Sequence, residues 1–334
     1  MKVSVIGCGN ISKCHLSALK NIDDVEISSV ADIRQERADA AAEEYGCKAY
    51  SDYITMLEQD KPDVVHICTP HYLHVPMALE ALSRGINVLC EKPCAIHADG
   101  LNKLRLACLM SETQFGVCFQ NRYNSSVVAI KKLIDEKKYG RINSVRASVH
   151  WYRTESYYSD DWHGSLEKEG GGVLVNQAIH TLDLMRYLVG SNVKSVTGHV
   201  FNDALGDVIE TEDTAHLRMK FSNGIIGLFD ATVSFSENAD IIVDLFCEKA
   251  LLRIEGDNAY VIADGKCEQL VLEKNNEFVG LKYWGDGHNS LINDFYDCLR
   301  TGRKFPIDAD EGGKAVEEFL AAYKSSATGR KAEL

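Results

Sequence analysis

Over the first third of the chain, runs rich in valine and isoleucine alternate with segments whose apolar residues return every three or four positions. The runs "KVSVIG", "VEISSVAD", "DVVHICTP", "INVLCEK" and "FGVCFQ" read as strands. The segments between them, "SKCHLSALKN", "RQERADAAAEEYG", "DYITMLEQDK", "VPMALEALSRG" and "ADGLNKLRLACLMSET", read as amphipathic helices. Strands apolar on both sides and separated by helices predict a parallel sheet covered on both faces, a doubly wound α/β domain.

After Gln120 the rhythm changes. One helix, "SVVAIKKLIDEKK", precedes "INSVRASVHWY", and a second follows near "NQAIHTLDLMRYLVG". Next come alternating segments broken by short polar turns: "SVTGHVF", "DTAHLRMKF", "GIIGLFDATVSF", "ADIIVDLFC", "ALLRIEG" and "AYVIAD". Such alternation predicts hairpins and a mainly antiparallel open sheet with one covered face. Two helical stretches, "SLINDFYDCLRTG" and "DEGGKAVEEFLAAYKSS", close the chain. The predicted organisation is a parallel α/β domain over residues 1–121 and an α+β domain over 122–334.

Composition narrows the function classes. A chain of 334 residues has room for two domains, and 45% hydrophobic with 25% charged residues is ordinary for a globular protein. A formal charge of -13 without a basic stripe argues against nucleic acid as a partner. No apolar run approaches the ~20 residues of a membrane span, so no membrane partner is expected. The start on a strand leaves no room for a signal peptide. Eleven cysteines, an odd number without C-x-x-C pairs, suit reduced thiols better than disulfides or zinc. A cytoplasmic protein with no metal site is expected.

The first candidate chemistry is "VIGCGNIS", where Gly7 and Gly9 fall between the first strand and the first helix. In such a fingerprint one glycine makes the tight turn and the next lets the backbone approach a pyrophosphate. Ser12 supplies a small residue in the third slot, and Asn10 and Ile11 complete the turn. Asp32 ends the second strand, where a carboxylate can accept hydrogen bonds from an adenosine ribose and repel a 2′-phosphate. NAD is therefore the expected cofactor, with NADP kept open by Arg34.

Ligands of open α/β sheets bind beyond the carboxyl ends of the strands. Two such ends carry unusual residues, "CTPHYLH" and "CEKP", and the second places Lys92 between Glu91 and Pro93. Its ammonium can hydrogen-bond a substrate oxygen; on its own, a strand-end lysine turned to water is the plainer alternative. A second constellation is "EGGGVLVNQAIHTLDL", in which Asn176 and His180, four apart, are expected on one helix face. Histidine suits proton acceptance near neutrality, and Asp183 either orients its ring or pairs at the surface.

These motifs, with "FQNRYN" and "GHNSLINDFYDCLRTG", occur in an order that resembles the Gfo/Idh/MocA family of glucose-fructose oxidoreductases and inositol dehydrogenases over nearly the whole chain. The resemblance implies an N-terminal Rossmann domain and an NAD(P)-dependent dehydrogenase acting on a hydroxyl of a sugar, sugar derivative or cyclitol, assembled as a homodimer or homotetramer. It also implies that Lys92 and His180 flank the reacting carbinol. Members often carry Asp at the position of Asn176; an asparagine cannot take a proton, so here His180 is expected to accept the proton and Asn176 to position a hydroxyl. Thr69, Pro70, His71 and His74 fall where the family's loop over the cofactor does, with Glu91, Gln120 and Asn121 bordering the nicotinamide. Arg122, Arg153, Trp162, His163, Tyr283 and His288 are the expected substrate-side residues, the aromatic ones suited to stacking on sugar rings. Two alternatives stand beside this reading: a nucleotide-sugar 3-dehydrogenase, and a non-catalytic dinucleotide-binding regulator.

Overall fold

In the computed structural model, which describes residues 1–272 and 286–334, the first α/β repeat forms as its pattern dictates. Tyr283 lies outside the described residues. Two compact units emerge: residues 1–120 with 286–313, and residues 121–272 with 314–334.

In the first unit, β1 (Lys2–Ile6), β2 (Glu26–Ala31), β3 (Lys48–Tyr50), β4 (Val64–Ile67), β5 (Asn87–Glu91) and β6 (Phe115–Cys118) make one sheet in the order β3-β2-β1-β4-β5-β6. Every pairing is parallel. Helices α1 (Ser12–Lys20), α2 (Gln35–Tyr45), α3 (Tyr53–Asp60), α4 (His74–Ser83) and α5 (Ala98–Met110) connect successive strands. Val3, Val5, Val64, Val65, Val88 and Leu89 are wholly buried, as residues of a sheet covered on both faces must be. Edge strand β3 was not foreseen, because three residues are too few to show a period.

The second unit begins with α6 (Ser125–Asp135), β7 (Ile142–His150) and α7 (Ile179–Val189). It continues through β8 (Val193–Phe201), β9 (Thr214–Phe221), β10 (Ile226–Thr232), β11 (Ile242–Cys247), β12 (Leu251–Glu255), β13 (Asn258–Ala263) and β14 (Lys266–Gln269). After α8 (Gly287–Thr301) of the first unit and α9 (Ala309–Thr328), which runs from the first unit into the second, the chain ends on β15 (Ala332–Glu333). The sheet runs β14-β13-β12-β11-β7-β10-β9-β8-β15. It is antiparallel except where β7 and β10 pair in parallel, from Ser144 opposite Ile226 to His150 opposite Thr232. Along β9, Ala215, Leu217, Met219 and Phe221 are buried while His216, Arg218 and Lys220 are exposed, so one face is covered and one is open. Among the described residues no helix is long and apolar enough to cross a membrane.

Two expectations are corrected. The domain boundary at 122 assigned everything beyond it to the second unit, yet residues 286–313 return to the first. The reason is packing: a Cβ at Gly116 of β6 would lie 2.8 Å from Phe305 and 3.0 Å from Phe295, so these rings sit directly on the strand backbone. Helix α7 begins only at Ile179, so Asn176 lies in the preceding turn, its N–H donating to the Gly172 carbonyl at 3.0 Å. The shared helix face proposed for Asn176 and His180 therefore does not exist.

Candidate active site

In the first unit, the chain leaves β1 through Gly7 at φ +92°, where a Cβ would fall 2.5 Å from the Cys68 carbonyl oxygen. Only glycine fits there. At Gly9 nothing lies within 4 Å of the place a Cβ would occupy, which leaves open space beside the backbone. The Ser12 hydroxyl donates to the Gly9 carbonyl at 2.7 Å and holds the turn, with Asn10 exposed and Ile11 half-buried ahead of α1. Asp32 accepts from the Cys8 N–H at 2.8 Å and, through its other oxygen, from the Arg34 N–H at 2.9 Å. Each oxygen keeps a further lone pair for a ribose hydroxyl. These residues fit a dinucleotide: a tight turn, a cleared backbone and an oriented carboxylate.

At the ends of β4 and β5, His74 is fully buried, one ring nitrogen 2.8 Å from the Thr69 carbonyl and the other 2.7 Å from that of Pro93. Burial pushes its pKa down, against the pull of both carbonyls. The ring ties the two strand ends together. His74 is thus a strut beneath the loop, a correction to its expected place in contact with the cofactor; His71 is buried beside it, ring centres 5.8 Å apart. Thr69 and Pro70 remain half-exposed, and Gln120 and Asn121 are buried just after β6.

Between Val88 and Ile96, Lys92 is the one side chain that reaches solvent. Its peptide bond to Pro93 is cis. The strand end that carries it is anchored from below. Glu91 Oε1 lies 2.9 Å from His15 Nε2; His15 Nδ1 lies 2.8 Å from His66 Nδ1, and His66 Nε2 lies 3.0 Å from the Tyr296 hydroxyl. Burial alone would raise the Glu91 carboxyl, but the hydrogen bond and charge of His15 outweigh it and hold it well below the carboxylate range. Burial likewise pushes His66 well down and His288 to about 4. His288, expected on the substrate side, is instead 5% exposed within this network, 6.3 Å from the His15 ring. Donor atoms of His15, Glu91 and Cys118 come within 4.8 Å of one another, a gathering that no sequence spacing announced.

In the second unit, residues 171–179 form a buried run broken only by Asn176, and His180 follows as the next partly exposed side chain. The glycines explain the run. A Cβ at Gly171 would lie 1.9 Å from the Tyr323 hydroxyl, and one at Gly172 would lie 1.9 Å from the Glu212 carbonyl oxygen. Glu212 accepts from the Gly172 N–H at 2.8 Å, from the Leu174 N–H at 3.0 Å and from the Tyr323 hydroxyl at 2.9 Å. Asn176 donates to Glu169 Oε1 at 2.6 Å and to the Tyr157 hydroxyl at 3.3 Å.

Around Tyr157 the expected substrate-side residues assemble. The Arg153 guanidinium lies 5.2 Å from the Tyr157 ring centre and 5.0 Å from that of Trp151. His163 lies 4.7 Å from Tyr157 and 3.7 Å from Trp162, centre to centre. His163 Nδ1 also pairs with Asp160 at 2.6 Å; burial would raise that carboxyl, but the hydrogen bonds and charge of His163 hold it below its usual range.

Arg122 is placed elsewhere. Its guanidinium forms a two-pronged pair with Asp183, at 2.7 and 2.5 Å, over the Tyr187 ring, and Arg186 adds 2.9 Å to the same carboxylate. Asp183, 1% exposed, is therefore an arginine anchor and not a surface residue, and Arg122 is corrected from substrate group to structural ion pair. Glu169 opened a quoted motif without being singled out. Glu212, Tyr323, His15 and His66 gave no signal, because their partners are distant in sequence; Tyr157, although near Arg153 and His163 in the chain, was not singled out.

A parallel sheet ending in a cleared glycine turn, with an oriented acid just past the next strand, defines a dinucleotide-binding domain of the Rossmann type. The model of the oxidoreductase family with an NAD-binding Rossmann fold (GFO/IDH/MocA) matches residues 1–119, and that of the GFO/IDH/MocA C-terminal domain matches residues 127–253. The WlbA dehydrogenase of Chromobacterium violaceum, solved in complex with NADH and UDP-GlcNAcA, is 30% identical with a TM-score of 0.87, covering 100% of this chain and 96% of that one. The D-glucoside 3-dehydrogenase of Escherichia coli is 26% identical over 100% of this chain and 97% of its own. The myo-inositol 2-dehydrogenase of Thermotoga maritima is 24% identical over 100% and 98%. The chain belongs to the GFO/IDH/MocA family of NAD-binding oxidoreductases.

Proposed function

We propose that this protein oxidises a secondary alcohol of a sugar, sugar derivative or cyclitol with NAD. NAD, when bound, takes the hydride. The chain's own residues supply the rest: Lys92 stabilises the oxygen as it gains negative charge, His180 accepts the hydroxyl proton, and Asn176 positions a hydroxyl. Lys92 carries the reading. It is the one side chain to leave the buried run 88–96, at the carboxyl end of β5, one strand from β4 and two from the Gly7 turn. A panel of sugars, cyclitols and sugar acids with NAD or NADP, followed by nicotinamide absorbance, tests it. Reduction of NAD by any polyol is expected; silence across the panel would favour a dinucleotide-binding regulator.

A nucleotide sugar is the second reading, favoured by the likeness to WlbA, which was solved with UDP-GlcNAcA. Against it stand the commitments of the basic groups a diphosphate would use. Arg122 is held by Asp183, Arg153 donates to the Tyr152 carbonyl and Asn238 Oδ1, and Lys168 donates to the Asp161 carbonyl. Simple polyols are therefore preferred, and UDP-sugars belong in the same panel.

A cytoplasmic location suits eleven cysteines of which none is in a disulfide. Self-association through the open face of the nine-stranded sheet suits the exposed Phe201, Leu228 and Phe246 there. Light scattering tests the second point, with a monomer as the contrary result.

A further inference from the structure

Asn176 is a partly exposed side chain in an otherwise buried run, and an amide presents two different ends. Which end faces outward decides what the site can bind, and the hydrogen-bond partners of an amide are what tell its oxygen from its nitrogen. Glu169 is fully buried, and its carboxylate accepts the Gly164 N–H at 2.5 Å through Oε2 and the Asn176 amide at 2.6 Å through Oε1. Glu169 Oε1 receives the hydrogen bond and only the amide nitrogen of Asn176 can donate one, so the group facing it is the NH₂. The Tyr157 hydroxyl, 3.3 Å away, receives the same nitrogen and also the Gln177 amide at 3.3 Å. The amide nitrogen is thus turned toward the buried Glu169 and the half-buried Tyr157, and the carbonyl oxygen takes the opposite end of a partly exposed side chain.

Resting on the dehydrogenase reading above, we propose that Glu169 is a positioning residue that, with Tyr157, fixes Asn176 so that its carbonyl oxygen meets the substrate. The site then offers an acceptor at this place and selects a substrate that brings a hydroxyl donor there. An O-methyl ether or a ketone at the same carbon lacks the proton. Sites built to hydrogen-bond a hydroxyl discriminate strongly against analogues lacking it, so we expect a loss of at least about 100-fold in kcat/KM for such analogues.

The test pairs two substitutions. In Asn176→Asp the new carboxylate would face Glu169 at hydrogen-bonding distance, and two such carboxylates hold one proton between them. This variant is expected to lose at least about tenfold in kcat/KM and to gain an ionisation above the ordinary carboxylate range in its pH profile. Adding Glu169→Gln supplies an NH₂ donor to the introduced carboxylate, restores most of the activity and removes that ionisation. Equal activities and identical pH profiles for N176D and N176D/E169Q would overturn the proposal. A readout independent of turnover is the ¹⁵N-edited spectrum of the Asn176 side-chain amide: a strongly downfield proton is expected in the parent and its loss in Glu169→Gln. If Glu169→Gln does not fold, Tyr157→Phe removes the second acceptor and should shift the same resonance; an unmoved resonance counts against the proposal. A parent that reduces NAD with no polyol yet shows the downfield proton would sink the dehydrogenase reading and leave the amide orientation standing.

Discussion

Glu91 and His15, 76 residues apart, pair at 2.9 Å beneath the strand end that carries Lys92, and neither is exposed beyond 6% of its side chain. The pair sits in a cluster whose other rings, His66 and His288, are held neutral by burial. The cluster makes the fold acid-sensitive in a definite window. The folded His288 has a pKa of about 4 against 6.5 when exposed, so between those values the unfolded chain binds the proton and the folded one does not. Stability therefore falls as pH drops from 6.5 to 4, by about 3 kcal/mol from this residue. His66 acts in the same direction, while Glu91, whose pKa is depressed, contributes stability that is lost as pH falls below 4.5. Denaturant unfolding at a series of pH values should show a shallower slope over this window in His288→Gln. An unchanged slope would mean that His288 does not titrate as its burial demands.

Lys92→Met should remove turnover and leave the dinucleotide in place. Losing one donor to a developing oxyanion costs about 10²- to 10³-fold in kcat, and the Gly7 turn and Asp32 are untouched. Steady-state kinetics with fluorescence titration of NADH checks both halves. Near-parental turnover would end the role assigned to the ammonium.

The glycines of the two units should respond in opposite ways. Gly9→Ala adds a methyl group to open space, so the melting temperature should hold while NADH affinity falls by about tenfold or more, the backbone approach to the pyrophosphate being blocked. Gly171→Ala drives a methyl group into the Tyr323 hydroxyl and should cost at least about 2 kcal/mol of stability. Calorimetry and NADH titration of the two variants separate the cases.

Asp32→Ser should move cofactor preference toward NADP. The substitution removes a negative charge from the ribose end of the site, while the exposed Arg34 remains next to it. Hydrogen bonds to a charged group are worth about 1.5–3 kcal/mol, so the ratio of kcat/KM for NAD over NADP should fall by about tenfold or more. Unaltered preference would place the discriminating group elsewhere.

Most of the fold was legible in the sequence because its strands are either apolar throughout or strictly alternating. The Gly7 turn was legible for the same local reason: its residues are neighbours in the chain. What stayed hidden was set by partners far away. Arg122 looked like a substrate group until Asp183 appeared 61 residues on, and His74 looked like a cofactor contact until both of its ring nitrogens were found on strand-end carbonyls. Asn176 was placed on a helix because its apolar neighbours keep helical spacing. The close approach of Glu212 and Tyr323 to the glycines, which shapes the turn, comes from elements 40 and more than 100 residues away.

The seating of Phe295 and Phe305 on the bare backbone of Gly116 bears on biosynthesis. A ribosome that has released the first 120 residues has made all six strands of the parallel sheet, yet the aromatic cover for its last strand is still untranslated. Until α8 emerges, β6 waits with an apolar groove open to solvent, so the first unit to begin folding is completed only near the end of synthesis. A truncation at residue 120 should consequently yield an aggregating fragment, and supplying the 286–313 segment in trans should rescue it.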